Sequence, residues 1–144
     1  MKSDPLISYR RSPANLDRSL LEAFAEILRE RVARGREFHC LITTDAELQS
    51  MNRDFRGKDY PTDVLSFPGE EDYLGDIAIS LQRARAQARE YGHALEDEIR
   101  VLMLHGVLHL KGMDHETDSG EMARAESRWR KKLGLPGGLI ERVA

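Results

Sequence analysis

The sequence has one cysteine, Cys40, so no disulfide can form within the chain. This is typical of proteins from a reducing compartment, and Cys40 lies in the apolar run FHCLIT, where we expect a buried thiol. Long apolar runs are also missing. The most apolar stretch, VLMLHGVLHL, is shorter than the ~20 residues of a membrane span, and the N-terminus lacks a signal-peptide core. The sequence therefore predicts a soluble, cytoplasmic protein without a membrane association.

The chain also lacks an excess of positive charge. Its net charge is -3 and its pI is near 6.0, whereas a surface that binds nucleic acid is usually basic. This charge balance is only weak evidence against nucleic-acid binding, because a local basic cleft is compatible with it.

The length and composition predict one domain. With 40% hydrophobic and 33% charged residues, 144 residues, and no repeat or long linker, we expect residues 1–144 to form one globular domain.

Patterns of apolar residues predict alternating helices and strands. We expect helices over about 15–34, 45–55, 81–92, 95–110 and 119–133, and strands over LISY, EFHCLITT, DVLSFP and GDIAIS. The last two strands are joined by too few residues for a crossover, so they should pair antiparallel. The predicted fold is α/β (α+β): one domain with a small mixed sheet of about four strands and five or so helices. Its central helix is apolar on nearly every side.

Three of the five histidines lie within HGVLHLKGMDH, residues 105–115. His105 and His109 are four residues apart on the predicted central helix, so both side chains leave one face. Gly112 can end the helix and return His115 to that face. A lone histidine on an apolar helix is more often a hydrogen-bonded core residue. Three at this spacing instead predict a metal site, and three neutral imidazoles with a fourth position open to water are typical of catalytic zinc.

Gly106 occupies the position where zinc peptidases with similar histidine spacing carry a catalytic glutamate. The metal would still carry its full charge, and the absent carboxylate would not repel an anionic substrate. This favours phosphodiester chemistry over peptide chemistry. Asp114, next to His115, has two interpretations: it caps a turn, or it orients a metal ligand.

A second polar segment, NRDFRGKDYPTDVLSFP, places Arg53, Arg56 and Lys58 just before a predicted strand. Arginine matches phosphate oxygens with its planar fork, and lysine adds a point charge. The residue types alone are equally compatible with a solvated polar loop.

Together these segments resemble the YbeY family of bacterial endoribonucleases, through NRDFRGKDYPTDVLSFP, GDIAIS and HGVLHLKGMDH in that order. The resemblance implies one zinc ion bound by His105, His109 and His115, and it places the functional arginine of the family at Arg56. It also implies action on RNA, in maturation of small-subunit ribosomal RNA and in ribosome quality control. Met113 stands where an aromatic residue is frequent.

The resulting expectation is a zinc-dependent, single-strand-specific endoribonuclease with Arg56 as a catalytic residue. Arg56 and Lys58 would bind substrate, and the partners would be ribosomal RNA, the small ribosomal subunit and ribosome-assembly proteins. One rival is a metallopeptidase-like hydrolase whose base comes from the acidic turn EEDY, residues 70–73. The other is a non-enzymatic ribosome-assembly factor with a structural zinc.

Overall fold

The structure is a computed structural model that describes residues 5–10 and 13–136. Within these residues, five helices and a four-stranded mixed sheet form the α/β fold that the sequence predicts. The strands are β1 (Ile7–Tyr9), β2 (Glu37–Thr43), β3 (Val64–Pro68) and β4 (Tyr73–Ser80). The helices are α1 (Arg18–Ile27), α2 (Asp45–Arg56), α3 (Leu81–Tyr91), α4 (Leu95–Leu110) and α5 (Glu121–Leu133).

The sheet has the strand order β1-β2-β4-β3. Strands β1, β2 and β4 run parallel, while β3 pairs antiparallel with β4, as its short connection predicts. Cys40 lies on β2 and is fully buried, so the expected buried thiol is confirmed. Within the described part of the chain, no helix combines the length and the apolar character that crossing a membrane requires.

The first helix differs from the predicted span of 15–34. It begins at residue 18 because the Asp17 carboxylate caps it, accepting a hydrogen bond from the Leu20 amide at 3.0 Å. After Ile27 the helix widens into a π-helical turn, Leu28–Val32, closed by a bond from the Ala33 amide to the Leu28 carbonyl. Hydrophobic periodicity does not distinguish a π turn from an α turn, so this change was not predictable.

Helix α4 is the central element, as expected, with eleven buried residues between Glu98 and Leu110. It packs on β3, β4, α1, α3 and α5. At Gly106 the helix lies close to the sheet, since a Cβ there would lie 3.0 Å from two atoms of the Ile77 side chain. Gly112, with φ of +94°, turns the chain after the helix, as its position in the sequence predicts.

Candidate metal centre

Helix α4 brings His105 and His109 together on one face, where they line the cleft. The Nε2 atoms of the two rings are 3.1 Å apart, and the ring centroids are 4.7 Å apart. His105 is 5% exposed and His109 is half-buried, so the pair lies at the floor of a cleft rather than on an open surface.

The turn after α4 returns His115 to the same place. Its ring centroid lies 5.5 Å from that of His105 and 5.6 Å from that of His109. One ring nitrogen from each of the three histidines lies within 4.8 Å of the others. Asp114 holds this turn, because its Oδ1 accepts a hydrogen bond from the Glu116 amide at 3.0 Å. Asp114 thus caps the turn, which was the first of its two interpretations.

The hydrogen bonds of the Nδ1 atoms orient two of these rings. His109 Nδ1 is 2.9 Å from the Met113 carbonyl oxygen, which can only accept, so Nδ1 carries the proton. His105 Nδ1 is 2.8 Å from Glu126 Oε2, and donates to that buried carboxylate. Both assignments leave the lone pair on Nε2, where the two rings face each other.

This donor set fits a zinc ion. Two lone pairs 3.1 Å apart repel each other unless a cation lies between them. Tetrahedral zinc with bonds of 2.0–2.1 Å separates its nitrogen ligands by about 3.3 Å, close to the distance seen here. Carbonyl and carboxylate partners on the outer nitrogen are also typical of zinc-bound histidine.

Burial lowers the pKa of His109 below its ordinary value. Positive charge on His105 would lower it further, and the bond to the Met113 carbonyl opposes these effects. The neutral imidazole, which is the form that binds metal, is therefore favoured.

The histidines open into a cleft of about 660 Å³ that Arg56 also lines. Arg56 ends α2, and Gly57 then turns the chain away in a left-handed conformation with φ of +69°. Among the described residues Arg56 forms no hydrogen bond or ion pair, so its guanidinium is free to bind an anion. Lys58 is exposed but does not line the cleft.

Acidic side chains outnumber cations in the cleft. Arg56 is its one lining cation among the described residues, whereas four lining residues carry carboxylates: Asp63, Glu90, Asp114 and Glu116. An anion in this cleft would therefore meet one arginine, and a metal ion held by the histidines would add to the positive charge available to it.

The far wall of the cleft comes from α3. Gln87 donates to Asp63 Oδ2 at 3.1 Å and so joins α3 to the loop before β3. Tyr91, at the end of α3, lines the cleft and is 43% exposed. It is the one Tyr, Phe or Trp among the described lining residues, a position that sequence patterns did not single out.

The acidic turn that the metallopeptidase interpretation requires does not contribute to the cleft lining. None of Glu70, Glu71 and Asp72 in the acidic turn lines the cleft. Glu126, in contrast, reaches His105 from α5, 21 positions along the chain, and no motif in the sequence marked it.

Comparison with known proteins agrees with the resemblance seen in the sequence. The model of the family described as Endoribonuclease YbeY matches residues 7–134. The Endoribonuclease YbeY of Solibacter usitatus is 64% identical over 137 residues, covering 95% of this chain and 93% of the relative. That of Koribacter versatilis is 46% identical over 139 residues, covering 96% and 91%. The solution structure of TM1509 from Thermotoga maritima is similar, with 32% identity, a TM-score of 0.58 and 85% of each chain covered.

Proposed function

Because the chain belongs to the YbeY family of endoribonucleases, we propose that it is a zinc-dependent, single-strand-specific endoribonuclease. Its substrate is ribosomal RNA, which it cleaves in the cytoplasm during small-subunit maturation and ribosome quality control. The partners are the small ribosomal subunit and ribosome-assembly proteins, and residues 1–144 act as one catalytic domain. The observation that carries this proposal is the convergence of three histidine nitrogens in a cleft that also holds an unpaired arginine.

His105, His109 and His115 hold one zinc ion in this proposal. Zinc supplies Lewis-acid chemistry: it lowers the pKa of a water molecule toward ~7 and offsets negative charge on a phosphate oxygen. Glu126 and the Met113 carbonyl keep the two α4 imidazoles in the tautomer that presents Nε2.

Arg56 binds the scissile phosphate and stabilises the charge that develops on it. Arg56 has no hydrogen-bond or ion-pair partner among the described residues, which supports this role, since no existing ion pair has to break before an anion binds. Lys58 acts as a weaker helper on a neighbouring phosphate, because it follows Arg56 by two residues but lies outside the cleft lining.

Tyr91 gives the cleft a preference for single strands. A half-exposed ring in the same cleft as Arg56 can stack on the face of an unpaired base. The bases of a duplex are already stacked on their neighbours, so their faces are not accessible to the ring. Base–aromatic stacking contributes about 1–3 kcal/mol per base.

The route of cleavage determines which nucleophile loses a proton. Attack by the 2′-hydroxyl of the RNA would leave a 2′,3′-cyclic phosphate, whereas attack by water would leave a simple phosphate end. The exposed carboxylates of Glu90 and Glu116 both line the cleft and can take a proton in either route. Mapping the product ends separates the two routes.

The rival functions receive less support. A peptidase would need its base from the acidic turn at residues 70–73, whose carboxylates lie outside the cleft lining, or at Gly106, which packs against Ile77. A structural zinc site is normally closed by four protein ligands, while this one has three histidines at an accessible cleft.

Substitution of Arg56 tests the proposed phosphate-binding role. We expect Arg56→Ala to lower kcat/KM for RNA cleavage by about 10²- to 10³-fold with zinc affinity unchanged, because it removes charge stabilisation alone. Arg56→Lys should restore only part of the loss, since it keeps the charge without the fork.

The matched control is Arg53→Ala, one turn earlier on α2, where the arginine is already paired with Asp54 at 3.1 Å. Its rate should stay within about twofold of the wild type. Cleavage by Arg56→Ala at the wild-type rate would refute the assignment of Arg56.

A further inference from the structure

Five cations lie together outside the cleft, at the junction of the π-helical turn, the end of α4 and the second half of α5. This basic cluster consists of Arg31, Arg34, Lys111, Arg128 and Lys132, and none of them lines the cleft. All five are exposed.

Trp129 joins two sides of the basic cluster. The Arg31 guanidinium lies 6.0 Å from its ring centroid, and the Lys132 ammonium lies 5.1 Å from the same centroid. Helical spacing places Arg128 one turn before Lys132 on α5. Residues of the π-helical turn and of α5 are thus brought to one surface, although they are about a hundred positions apart in the sequence.

Lys111 and Arg34 extend the basic cluster toward the metal centre. Lys111 directly follows α4 and its metal-binding histidines. The π-helical turn just before Arg34 and helix α5, which carries Arg128, both pack against α4, which ends next to Lys111.

Carboxylates do not neutralise these charges. Among residues 5–10 and 13–136, none of the five cations forms an ion pair, whereas Arg10, Arg29, Arg53, Arg83 and Arg100 each pair with an acidic side chain. Keeping like charges together without counter-charges costs free energy, and the protein as a whole is acidic. A polyanion that binds across the surface would remove that cost.

The cleft itself supplies little attraction for a long anion. It carries four carboxylates against one arginine, so metal and Arg56 together can accommodate about one phosphate. Affinity for a strand of RNA must come from cations elsewhere, since phosphate contacts dominate such binding.

Resting on the proposed function, we infer that the basic cluster binds the sugar–phosphate backbone of the RNA strand that leaves the cleft. It would act as a second contact surface that holds a long substrate without taking part in cleavage. RNA phosphates are the favoured ligand because the cations lie on three different elements. A strand with regularly spaced phosphates can contact all three, whereas a single small anion cannot.

The test compares two triple variants that each remove three positive charges. The first, Arg34→Gln/Arg128→Gln/Lys132→Gln, weakens the basic cluster and leaves Lys111 intact beside the metal ligands. The matched control, Arg10→Gln/Arg29→Gln/Arg83→Gln, removes three cations that already pair with carboxylates. The probe is a fluorescent, unstructured RNA of about 20 nucleotides, longer than a typical single-domain site.

For the cluster variant we expect the affinity for this RNA to fall roughly tenfold or more. The negative slope of log K against log salt should become shallower by about 2, because fewer phosphates are neutralised. The control should keep the wild-type slope, and zinc content and the melting temperature should be equal in all three proteins. A trinucleotide, too short to leave the cleft, should bind both variants equally.

Three other outcomes would be decisive. Unchanged affinity and slope in the cluster variant would overturn the second contact surface but leave the proposed function standing. An equal loss in the control would show that net charge, and not this surface, governs binding. If the wild type did not bind RNA at all, the proposed function and this inference would both fail.

Discussion

At the residue scale, the proposed metal site depends on hydrogen bonds to the Nδ1 atoms of His105 and His109, which leave Nε2 available for a metal ion. Glu126 is 1% exposed and lies 2.8 Å from His105 Nδ1. A buried carboxylate at this distance fixes the ring, keeps the proton on Nδ1 and makes Nε2 a better ligand. We therefore propose that Glu126 is a positioning residue, which orients His105 for the metal ion and is not itself a ligand.

We predict that Glu126→Gln lowers zinc affinity by about 10- to 100-fold, because an amide can still accept from Nδ1 but lacks the negative charge. Titration of apoprotein with zinc against a competing chelator measures the change. The control is Asp114→Asn, in which the amide oxygen can still cap the Glu116 amide. We expect less than about a threefold change there. Equal effects in both variants would contradict the positioning role of Glu126.

The sequence predicted one part of this site and not the other, for a physical reason. His105, His109 and His115 lie within one short segment, so helical spacing and the glycine turn were enough to bring them together. Glu126 reaches His105 only because α5 docks on α4, and packing between distant helices leaves no local pattern. The same holds for Tyr91, whose place in the cleft depends on how α3 lies beside α4.

At the scale of elements, Gly106 has a packing role that complements its chemical interpretation. Three atoms of the Ile77 side chain lie 3.0–3.2 Å from where its Cβ would be, and Ile77 is 1% exposed. A glutamate there would press against the sheet rather than reach the cleft. The absence of a peptidase-type base is thus linked to the close approach of α4 to β4.

We predict a graded loss of stability at this contact. Gly106→Ala gains helix propensity of about 1 kcal/mol but overpacks Ile77, for a net cost of about 0–2 kcal/mol. Gly106→Glu also buries a charge and should lower the free energy of unfolding by more than about 3 kcal/mol. Urea denaturation measures both. A Gly106→Glu protein as stable as Gly106→Ala would show that the position faces solvent.

Helix ends were predictable where a side chain or a glycine determines them. Thr44 caps α2 through the Glu47 amide at 3.2 Å, and Gly92 ends α3 in the left-handed conformation. The start of α5 was predicted at Ser119 but lies at Glu121, because the Asp118 carboxylate accepts from the Gly120 and Met122 amides.

At the scale of the whole molecule, the proposed metal centre would connect three parts of the fold. The candidate ligands lie on α4 and on the loop that follows it, and Glu126 connects His105 to α5. Bound metal should therefore stabilise the whole domain, since the unfolded chain does not hold the three imidazoles together.

We predict that zinc at about 100 times its Kd stabilises the wild type by about 2.7 kcal/mol. For a domain of this size the melting temperature should then rise by about 5–10 °C. His115→Ala should lose most of this rise. His39→Ala, which removes a histidine on β2 that bonds to Ser8, should keep it. A similar rise in His115→Ala and the wild type would show that zinc binds elsewhere.

The most direct test of metal-dependent RNA cleavage at this cleft is zinc content and cleavage of single-stranded ribosomal RNA, measured on the same preparations of wild type and His109→Ala. We predict about one zinc per wild-type chain, with cleavage that a chelator abolishes and added zinc restores. Folded His109→Ala should lose both the metal and the cleavage. RNA cleavage at the wild-type rate by a metal-free His109→Ala protein would contradict metal-dependent cleavage at this cleft.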